Sequence, residues 1–169
     1  MAKSARWAIR GHVVALRRFR QADVTSEYLG WLNAPTLNRY LRKRHWTMRE
    51  AKRWVAEKLR GGPQIALFMV CRAGGDEPIG TLKLEQEIGM IHDEEGSEGG
   101  KIAVLGLLIA KPGLGYGAEA IRLGMTWARR EWGVVGVRAG IHTANARSIA
   151  AFAKAGFSFS PDIVSATCR

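Results

Sequence analysis

The sequence is poor in the residues that build disulfide frameworks and metal sites. Its 169 residues include two cysteines, Cys71 and Cys168, and four scattered histidines. These residues give no disulfide framework and show no metal-ligand spacing. No apolar run approaches the roughly 20 residues that a membrane-spanning helix needs, and the opening segment MAKSARWAIRGH lacks the apolar core of a signal peptide. We therefore expect a protein without a metal or a membrane span, located in the cytoplasm.

Acidic residues are also scarce. Fifteen Asp and Glu stand against 26 Lys and Arg, which gives a formal net charge of +11. The basic residues crowd the first 60 positions, in the runs RRFR, RKRH and KRWVAEKLR. A basic surface attracts anions and speeds their encounter with the protein. This charge has two interpretations: a solubilising surface, or a surface for an acidic acceptor, a nucleotide-linked substrate or a ribosome.

The length and the order of elements predict a single α/β domain over residues 1–169. Helices come first, and the T-x-x-E pattern of Thr47 and Glu50 predicts a capping box at the start of the longest of them. A hairpin of two strands follows, and after it strands and helices alternate, which predicts a sheet with helices on its faces. The expected later elements are strand 102–110, helix 118–132, strand 134–141, a helix capped by Asn145, and a short strand 163–167. The acidic, glycine-rich segment 87–100 predicts a long loop, with a lid over an acceptor as its functional interpretation.

The segment VLGLLIAKPGLGYGAEA, residues 104–120, carries the most chemical information. An apolar run enters a turn with three alternate glycines, Gly113, Gly115 and Gly117, and a helix opens directly after them. Successive glycines let several backbone N–H groups turn toward one point in front of a helix N-terminus. That geometry suits a phosphate or a pyrophosphate. The segment therefore predicts a site for a phosphate-bearing cofactor.

Two other interpretations of this turn exist. The glycines could serve only tight packing between a strand and a helix. Gly113, Gly115 and Ala118 also fit the dinucleotide pattern G-x-G-x-x-A, which normally opens a fold and needs an acidic residue roughly 20 residues later. Here the pattern lies two-thirds along the chain, and the next predicted strand carries Arg138 and no acid.

The glycine turn gains specificity from a second motif about 30 residues later. Residues 143–157 read TANARSIAAFAKAGF, with Asn145, Ser148 and Lys154 in an N-x-x-S…K-x-G-F arrangement. Together, GLGYGAEA and this motif resemble the GNAT superfamily of acetyl-CoA-dependent N-acetyltransferases. The segment YLGWLNAPTLNRYL, residues 28–41, resembles the branch that contains ribosomal-protein and amino-sugar N-acetyltransferases. The resemblance covers nearly the whole chain.

This resemblance implies a fold and a cofactor site. The fold is a mixed, mostly antiparallel sheet with helices on both faces, whose central strands 102–110 and 134–141 splay apart around the pantetheine arm of acetyl-CoA. The implied phosphate contacts are Gly113, Leu114, Gly115, Tyr116, Gly117 and Ala118. Backbone groups of Leu107 and Ile109 would pair with the pantetheine arm or polarise the thioester. Asn145, Ser148 and Lys154 would also approach the cofactor.

The resemblance also implies a reaction, acetyl transfer to a primary amine, which needs a base for the amine and an acid for the leaving thiolate. Ser148 lies where some relatives donate a proton to sulfur; its other role would be hydrogen bonding within the helix. Glu85 is our candidate base, with Glu87 and His142 as alternatives. Without a catalytic role, the two glutamates would be surface charges and the histidine would serve packing. Some relatives use an ordered water in place of a side-chain base.

The sequence departs from the family pattern in three places. The approach to the glycines is roughly three residues short, which leaves Lys111 as a substitute phosphate contact. Phe152 stands where many relatives have a tyrosine acid. Little sequence follows Phe157, so the tail can supply one short strand rather than a longer hairpin. These departures keep a second function open: a non-catalytic acyl-CoA-sensing or RNA-associated module.

The acceptor would be a protein N-terminus, a small amine or an amino-sugar nucleotide. We expect the protein to be a monomer or a homodimer.

Overall fold

A computed structural model describes residues 7–87, 100–113, 115–159 and 165–168. The last of these ranges is described by its backbone only. The predicted lid at 87–100 therefore lies almost wholly outside the described residues, as do Leu114 and the first half of the predicted strand 163–167.

In the described part of the chain, eight strands form one sheet in the order β1-β2-β3-β4-β5-β6-β8-β7. All neighbouring strands are antiparallel except β5 and β6, which run parallel. The mixed, mostly antiparallel sheet predicted from the family resemblance is thus confirmed. The strands are β1 (Ile9–Arg10), β2 (Val14–Arg18), β3 (Ile65–Arg72), β4 (Pro78–Glu87), β5 (Ile102–Ile109), β6 (Gly136–Gly140), β7 (Ser158–Phe159) and β8 (Ser165–Cys168).

Five α-helices lie within the described residues: α1 (Ser26–Asn33), α2 (Pro35–Asn38), α3 (Met48–Arg60), α4 (Tyr116–Trp132) and α5 (Ala146–Lys154). The predicted capping box of α3 is present. The N–H of Thr47 donates to the Glu50 carboxylate at 2.8 Å, and the N–H of Glu50 donates to the Thr47 hydroxyl at 3.3 Å. This reciprocal pair satisfies two of the donors that a helix start leaves open.

The sheet buries apolar side chains on both of its faces. Along β3, Ala66, Phe68 and Val70 belong to a core cluster with α4 and α5, while the alternate residues belong to a second cluster with α1 and α3. This alternation follows from the two-residue period of a strand. Helices therefore lie on both faces, as the family resemblance implies.

The predicted boundaries differ from the structure at the short elements. Strands β1 and β7 were not predicted, because two residues are too few to show an alternating pattern. Helix α4 begins at Tyr116, two residues earlier than predicted, and β6 is shorter than the expected 134–141. The structure contains no helix that is long and apolar enough to cross a membrane within the part of the chain that it describes.

Candidate active site

Strands β5 and β6 open a cleft because they pair along only part of their length. They are paired from Ile102 with Gly136 to Val104 with Arg138, and beyond this point β5 continues to Ile109 without β6. The opening forms a cavity of about 580 Å³ between β5, the first turns of α4 and α5, and α2. The implied splay of the central strands is thus present.

The glycine turn forms one end of this cleft. Gly113 has φ 148° and Gly115 has φ 76°, both in the region that favours glycine. Gly115 is the N-cap residue of α4, and Tyr116 donates its N–H to the Gly113 carbonyl at 3.0 Å. A Cβ at Gly117 would lie 3.4 Å from Ala151, so this glycine lets α4 approach α5 closely. The turn therefore brings the start of a 17-residue helix to the cleft.

A buried carboxylate fixes this end of α4 to the edge of the sheet. Glu119 is 9% exposed, and its two oxygens accept the N–H groups of His12, Val13 and Val14 at 2.9, 2.8 and 2.7 Å. Burial acts to raise the pKa of Glu119, but these backbone hydrogen bonds outweigh it and lower the pKa. Glu119 is thus an ionised anchor between α4 and the turn that joins β1 to β2.

Helix α5 reaches the cleft with a capped N-terminus. The Asn145 side-chain oxygen accepts the Ser148 N–H at 3.1 Å, which confirms Asn145 as the predicted cap. Ser148 is half-buried and lines the cleft, as do Asn145 and Lys154. The structure therefore brings these three predicted residues to the same cavity as the glycine turn.

Most of the predicted cofactor residues meet at this cavity. Those that line it are Leu107, Ile109, Gly113, Gly115, Tyr116, Gly117, Ala118, Asn145, Ser148 and Lys154. Lys111 does not line it: its ammonium group lies 3.0 Å from Glu27 and 3.2 Å from Glu77. The hydrogen bonds to Glu27 and Glu77 raise the pKa of Lys111. Two carboxylates on the outer surface thus hold the lysine that was predicted as a substitute phosphate contact.

The candidate base Glu85 lies on β4, outside the residues that line the cleft. One carboxylate oxygen accepts a hydrogen bond from Lys58 at 2.7 Å, and the other accepts one from Lys83. Burial acts to raise the pKa of Glu85, but the two lysines outweigh it and lower the pKa. A carboxylate held in this way takes up a proton less readily than a free one, so the geometry does not favour Glu85 as the base.

Residues that sequence reasoning missed form the other wall of the cleft. Thr36, Leu37, Arg39 and Tyr40 line it from α2 and the turn after α2. The Tyr40 hydroxyl donates to the Ala144 carbonyl at 2.9 Å, which joins this wall to the loop before α5. These residues lie within the segment YLGWLNAPTLNRYL, which carried the family resemblance but gave no signal of contact with the cleft.

The charged side chains that line the cleft all have one sign. They are Arg39, Arg147 and Lys154, and no carboxylate or imidazole accompanies them among the described lining residues. Together with the positive end of the α4 dipole, they make the cleft favourable for anions. No group of three or more His, Cys, Asp or Glu that could hold a metal ion occurs in the ranges that the structure describes.

Comparisons with known proteins agree with this architecture. The sequence matches the model of an acetyltransferase (GNAT) domain over residues 14–158, whereas no curated protein matches significantly. The structure is similar to aminoglycoside acetyltransferase AAC(6')-Ib in complex with coenzyme A, with 20% identity and a TM-score of 0.74 over 92% of this chain and 94% of that chain.

Two further solved structures share the fold. One is spermidine N-acetyltransferase from Vibrio cholerae in complex with CoA and spermine, with 16% identity and a TM-score of 0.70 over 91% of each chain. The other is FdhC, a nucleotide-linked sugar GNAT, with 17% identity and a TM-score of 0.70 over 94% of this chain and 86% of that chain. Since the family model spans most of the sequence, the chain belongs to the GNAT family of acetyltransferases.

Proposed function

We propose that this chain transfers the acetyl group of acetyl-CoA to a primary amine, with acetyl-CoA bound in the cleft between β5 and the first turns of α4 and α5. The observation that carries the proposal is the coincidence of the glycine turn, the start of α4 and the opened strand pair at one cavity. Coenzyme A has a phosphate-rich end, which suits the glycine turn and the start of α4. Its long, narrow pantetheine arm suits the opened strand pair. The CoA complexes among the similar structures support this assignment.

The phosphates of acetyl-CoA would lie against the glycine turn. The first N–H groups of a helix have no partner within the helix, and they carry its positive dipole end. At α4 no side chain caps this end. Arg147 and Lys154 on α5 add two positive charges beside it. We assign phosphate binding to these groups rather than to Lys111.

The pantetheine arm would pair with the open edge of β5. Ala110 donates its N–H to the Ile79 carbonyl at 2.8 Å, so its backbone faces β4. Because backbone groups alternate in direction along a strand, those of Ile109 and Leu107 face the opposite edge, where β6 has diverged. Free amide groups on that edge suit the amides of pantetheine and the thioester carbonyl. This alternation supports the roles of Leu107 and Ile109.

Ser148 would protonate the leaving thiolate. It is the third residue of α5, its N–H is already bound by Asn145, and its half-buried side chain lines the cleft. Phe152, one turn later, is buried against Phe157 and has no proton to give. Proximity of the two bound substrates supplies much of the remaining rate enhancement.

The acceptor would enter beside Arg39 and Tyr40. We propose an amine within a molecule that also carries negative charge, such as an amino-sugar nucleotide or an acidic protein N-terminus, because the charged side chains that line the described part of the cleft are all basic. Polyamines and aminoglycosides are polycations, which such a lining repels. A cytoplasmic location and a monomeric or homodimeric state stay predictions.

A second function is a non-catalytic acyl-CoA-sensing module. It is favoured by one observation: no carboxylate or imidazole lines the described part of the cleft to deprotonate an amine. Under the first proposal, water takes up that proton.

Calorimetry and thiol detection together separate the two functions. We expect acetyl-CoA to bind and NAD not to bind, since the next strand carries Arg138 rather than an acid for a ribose. In a screen of amines, release of CoA thiol that depends on the acceptor supports transfer. Tight acetyl-CoA binding without turnover on any amine supports the sensing module, and NAD binding without acetyl-CoA binding contradicts both.

A further inference from the structure

The most basic part of the molecule lies outside the cofactor cleft. Residues 39–60 contain nine Lys and Arg but two Glu, so this stretch carries +7 of the formal net charge of +11. Eight of the nine basic side chains are exposed, and we call them the α3 basic surface: Arg39, Arg42, Lys43, Arg44, Arg49, Lys52, Arg53 and Arg60.

Few of these charges are neutralised within the protein. Lys43 pairs with Glu50 at 2.7 Å, and Arg53 approaches Glu57 at 3.9 Å. The other six members of the α3 basic surface have no carboxylate partner among the described residues. A solubilising surface normally mixes charges of both signs. An uncompensated cluster of one sign instead marks a surface for a polyanion.

The shape of the α3 basic surface fits a long ligand. Arg49, Lys52, Arg53 and Arg60 lie on one side of α3, opposite the buried Ala51 and Val55. At a rise of 1.5 Å per residue, the row from Arg49 to Arg60 extends over about 17 Å of this 13-residue helix. The loop before α3 carries further members of the surface, Lys43 ties that loop to the helix through Glu50, and Arg39 lines the cleft. A small anion would contact one end of this row only.

The composition of the surface favours nucleic acid over protein. Six of its eight side chains are arginines, whose planar guanidinium groups match phosphate oxygens in pairs. Within residues 39–60 the exposed large apolar side chains are Leu41 and Leu59, which lie near opposite ends. A protein interface has an apolar or aromatic centre, whereas a nucleic-acid interface is polar and strongly positive.

We infer that the α3 basic surface binds the phosphodiester backbone of RNA, without sequence preference, next to the mouth of the cleft. Arg39 belongs to the surface and also lines the cleft. Bound RNA would therefore lie beside the entrance for the amine, and an acceptor that is assembled on RNA would be presented to the enzyme. Binding at this surface does not depend on acetyl transfer.

The test compares two double variants of the full chain that have the same net charge. Arg42→Gln/Arg49→Gln removes two unpaired members of the surface. Lys101→Gln/Arg129→Gln removes two exposed charges elsewhere, which also lack a carboxylate partner in the described residues. Affinity for a labelled poly(U) oligonucleotide is measured by fluorescence anisotropy, both without and with saturating acetyl-CoA, between about 50 and 200 mM salt. Thermal melting verifies that both variants fold.

We expect the surface variant to bind poly(U) about tenfold or more weakly, with a salt slope reduced by roughly 1.4, because each phosphate contact on a single strand contributes about 0.7. The control variant should stay within about twofold. An equal loss in both variants, or no binding by the wild type at the lowest salt, overturns the inference. So does competition by polyglutamate as strong as that by unlabelled poly(U), since it indicates an acidic protein partner.

A further control separates this surface from the cofactor cleft. If acetyl-CoA displaces poly(U), the RNA occupies the cleft and the inference is wrong. Failure of acetyl-CoA to bind in calorimetry would contradict the proposed function but would leave the RNA measurement, made without the cofactor, as an independent result.

Discussion

Two helices, α4 and α5, begin at the cleft, and their N-termini differ in how they are capped. At α5, Asn145 caps the first turn with its own side chain. At α4, the N-cap residue is Gly115, which has no side chain, and the acidic residue of the first turn reaches away to the β1–β2 turn. The start of α5 is thus capped by a side chain, whereas the start of α4 has no side-chain cap among the described residues.

This difference separates a structural motif from a binding motif at the same cavity. A side-chain cap satisfies the helix donors in the absence of ligand. A glycine turn loses more conformational entropy on folding and leaves the backbone N–H groups of the helix start hydrogen-bonded to water. An anion that replaces this water is stabilised by those N–H groups. The five predictions below test this difference between the two helix starts and the Glu119 anchor that holds α4.

The largest effect is expected from Gly115→Val. A β-branched residue is strained at φ 76° and its side chain would project at the cleft, so acetyl-CoA should no longer raise the melting temperature. The matched control is Gly133→Val at the other end of α4, where φ is 63° and the space is equally open. Both variants should lose stability, but the control should keep its response to acetyl-CoA. An equal response in both would show that the turn serves the fold alone.

The next effect concerns Ser148. Loss of a positioned acid typically lowers a rate by about 10²–10⁴, whereas loss of a neutral hydrogen bond changes affinity by about 1 kcal/mol. We therefore expect Ser148→Ala to slow single-turnover transfer about 100-fold or more, with acetyl-CoA affinity within about tenfold of the wild type. Ser148→Thr keeps a hydroxyl and should recover part of the rate. A rate for Ser148→Ala within about threefold of the wild type would leave Ser148 a structural role.

Removal of the Glu119 anchor should destabilise the fold itself. Glu119→Ala leaves the N–H groups of the β1–β2 turn without their acceptor, at a cost of about 2–3 kcal/mol in the free energy of unfolding. Glu131→Ala is the control, because Glu131 lies near the other end of α4 and pairs on the surface with Arg130. Urea denaturation measures both. Equal losses would contradict a specific anchor.

The same anchor predicts a pH dependence. Because the pKa of Glu119 is lowered in the folded state, its stabilising contribution is present above the unfolded-state pKa of about 4.3. It is lost as the pH falls through the folded-state pKa. The stability difference between wild type and Glu119→Ala should therefore shrink below about pH 4. A difference that stays constant with pH would assign the loss to packing.

The smallest effect is expected from Asn145→Ala. Loss of the cap should lower the free energy of unfolding by about 1 kcal/mol, and Asn145→Ser should recover most of it. Acetyl-CoA affinity should change little, because the cap is satisfied within the protein. A large loss of affinity at unchanged stability would instead assign Asn145 a direct contact with the cofactor.

Local signals in the sequence predicted the starts of α3 and α5 and placed the start of α4 within two residues. A capping box, an Asn cap and a glycine turn each act within a few residues, so their partners are visible in the sequence. The hairpin of β3 and β4 was predicted as well, because its two strands and its turn are neighbours in the sequence. Strands β1 and β7 escaped prediction because their position depends on neighbours in the sheet rather than on their own two residues.

The side-chain positions that the sequence did not predict depend on contacts between distant parts of the chain. Lys111 is drawn to Glu27 and Glu77, which lie 84 and 34 residues away, rather than to the cleft. Glu85 forms an ion pair with Lys58, which lies on α3, a helix that packs against the sheet. The wall formed by Arg39 and Tyr40 depends on a contact across 104 residues. Periodicity and motif spacing carry no information about such pairs.

The hydrogen bond between the Tyr40 hydroxyl and the Ala144 carbonyl has a consequence for how a ligand enters and leaves the cleft. It links the two walls of the cleft, and the Tyr40 ring lies 4.9 Å from that of His142 beside it. A long, thin molecule that lies between these walls would therefore lie close to this hydrogen bond. Under the proposed function, breaking this hydrogen bond would let the two walls separate during the exchange of CoA for acetyl-CoA.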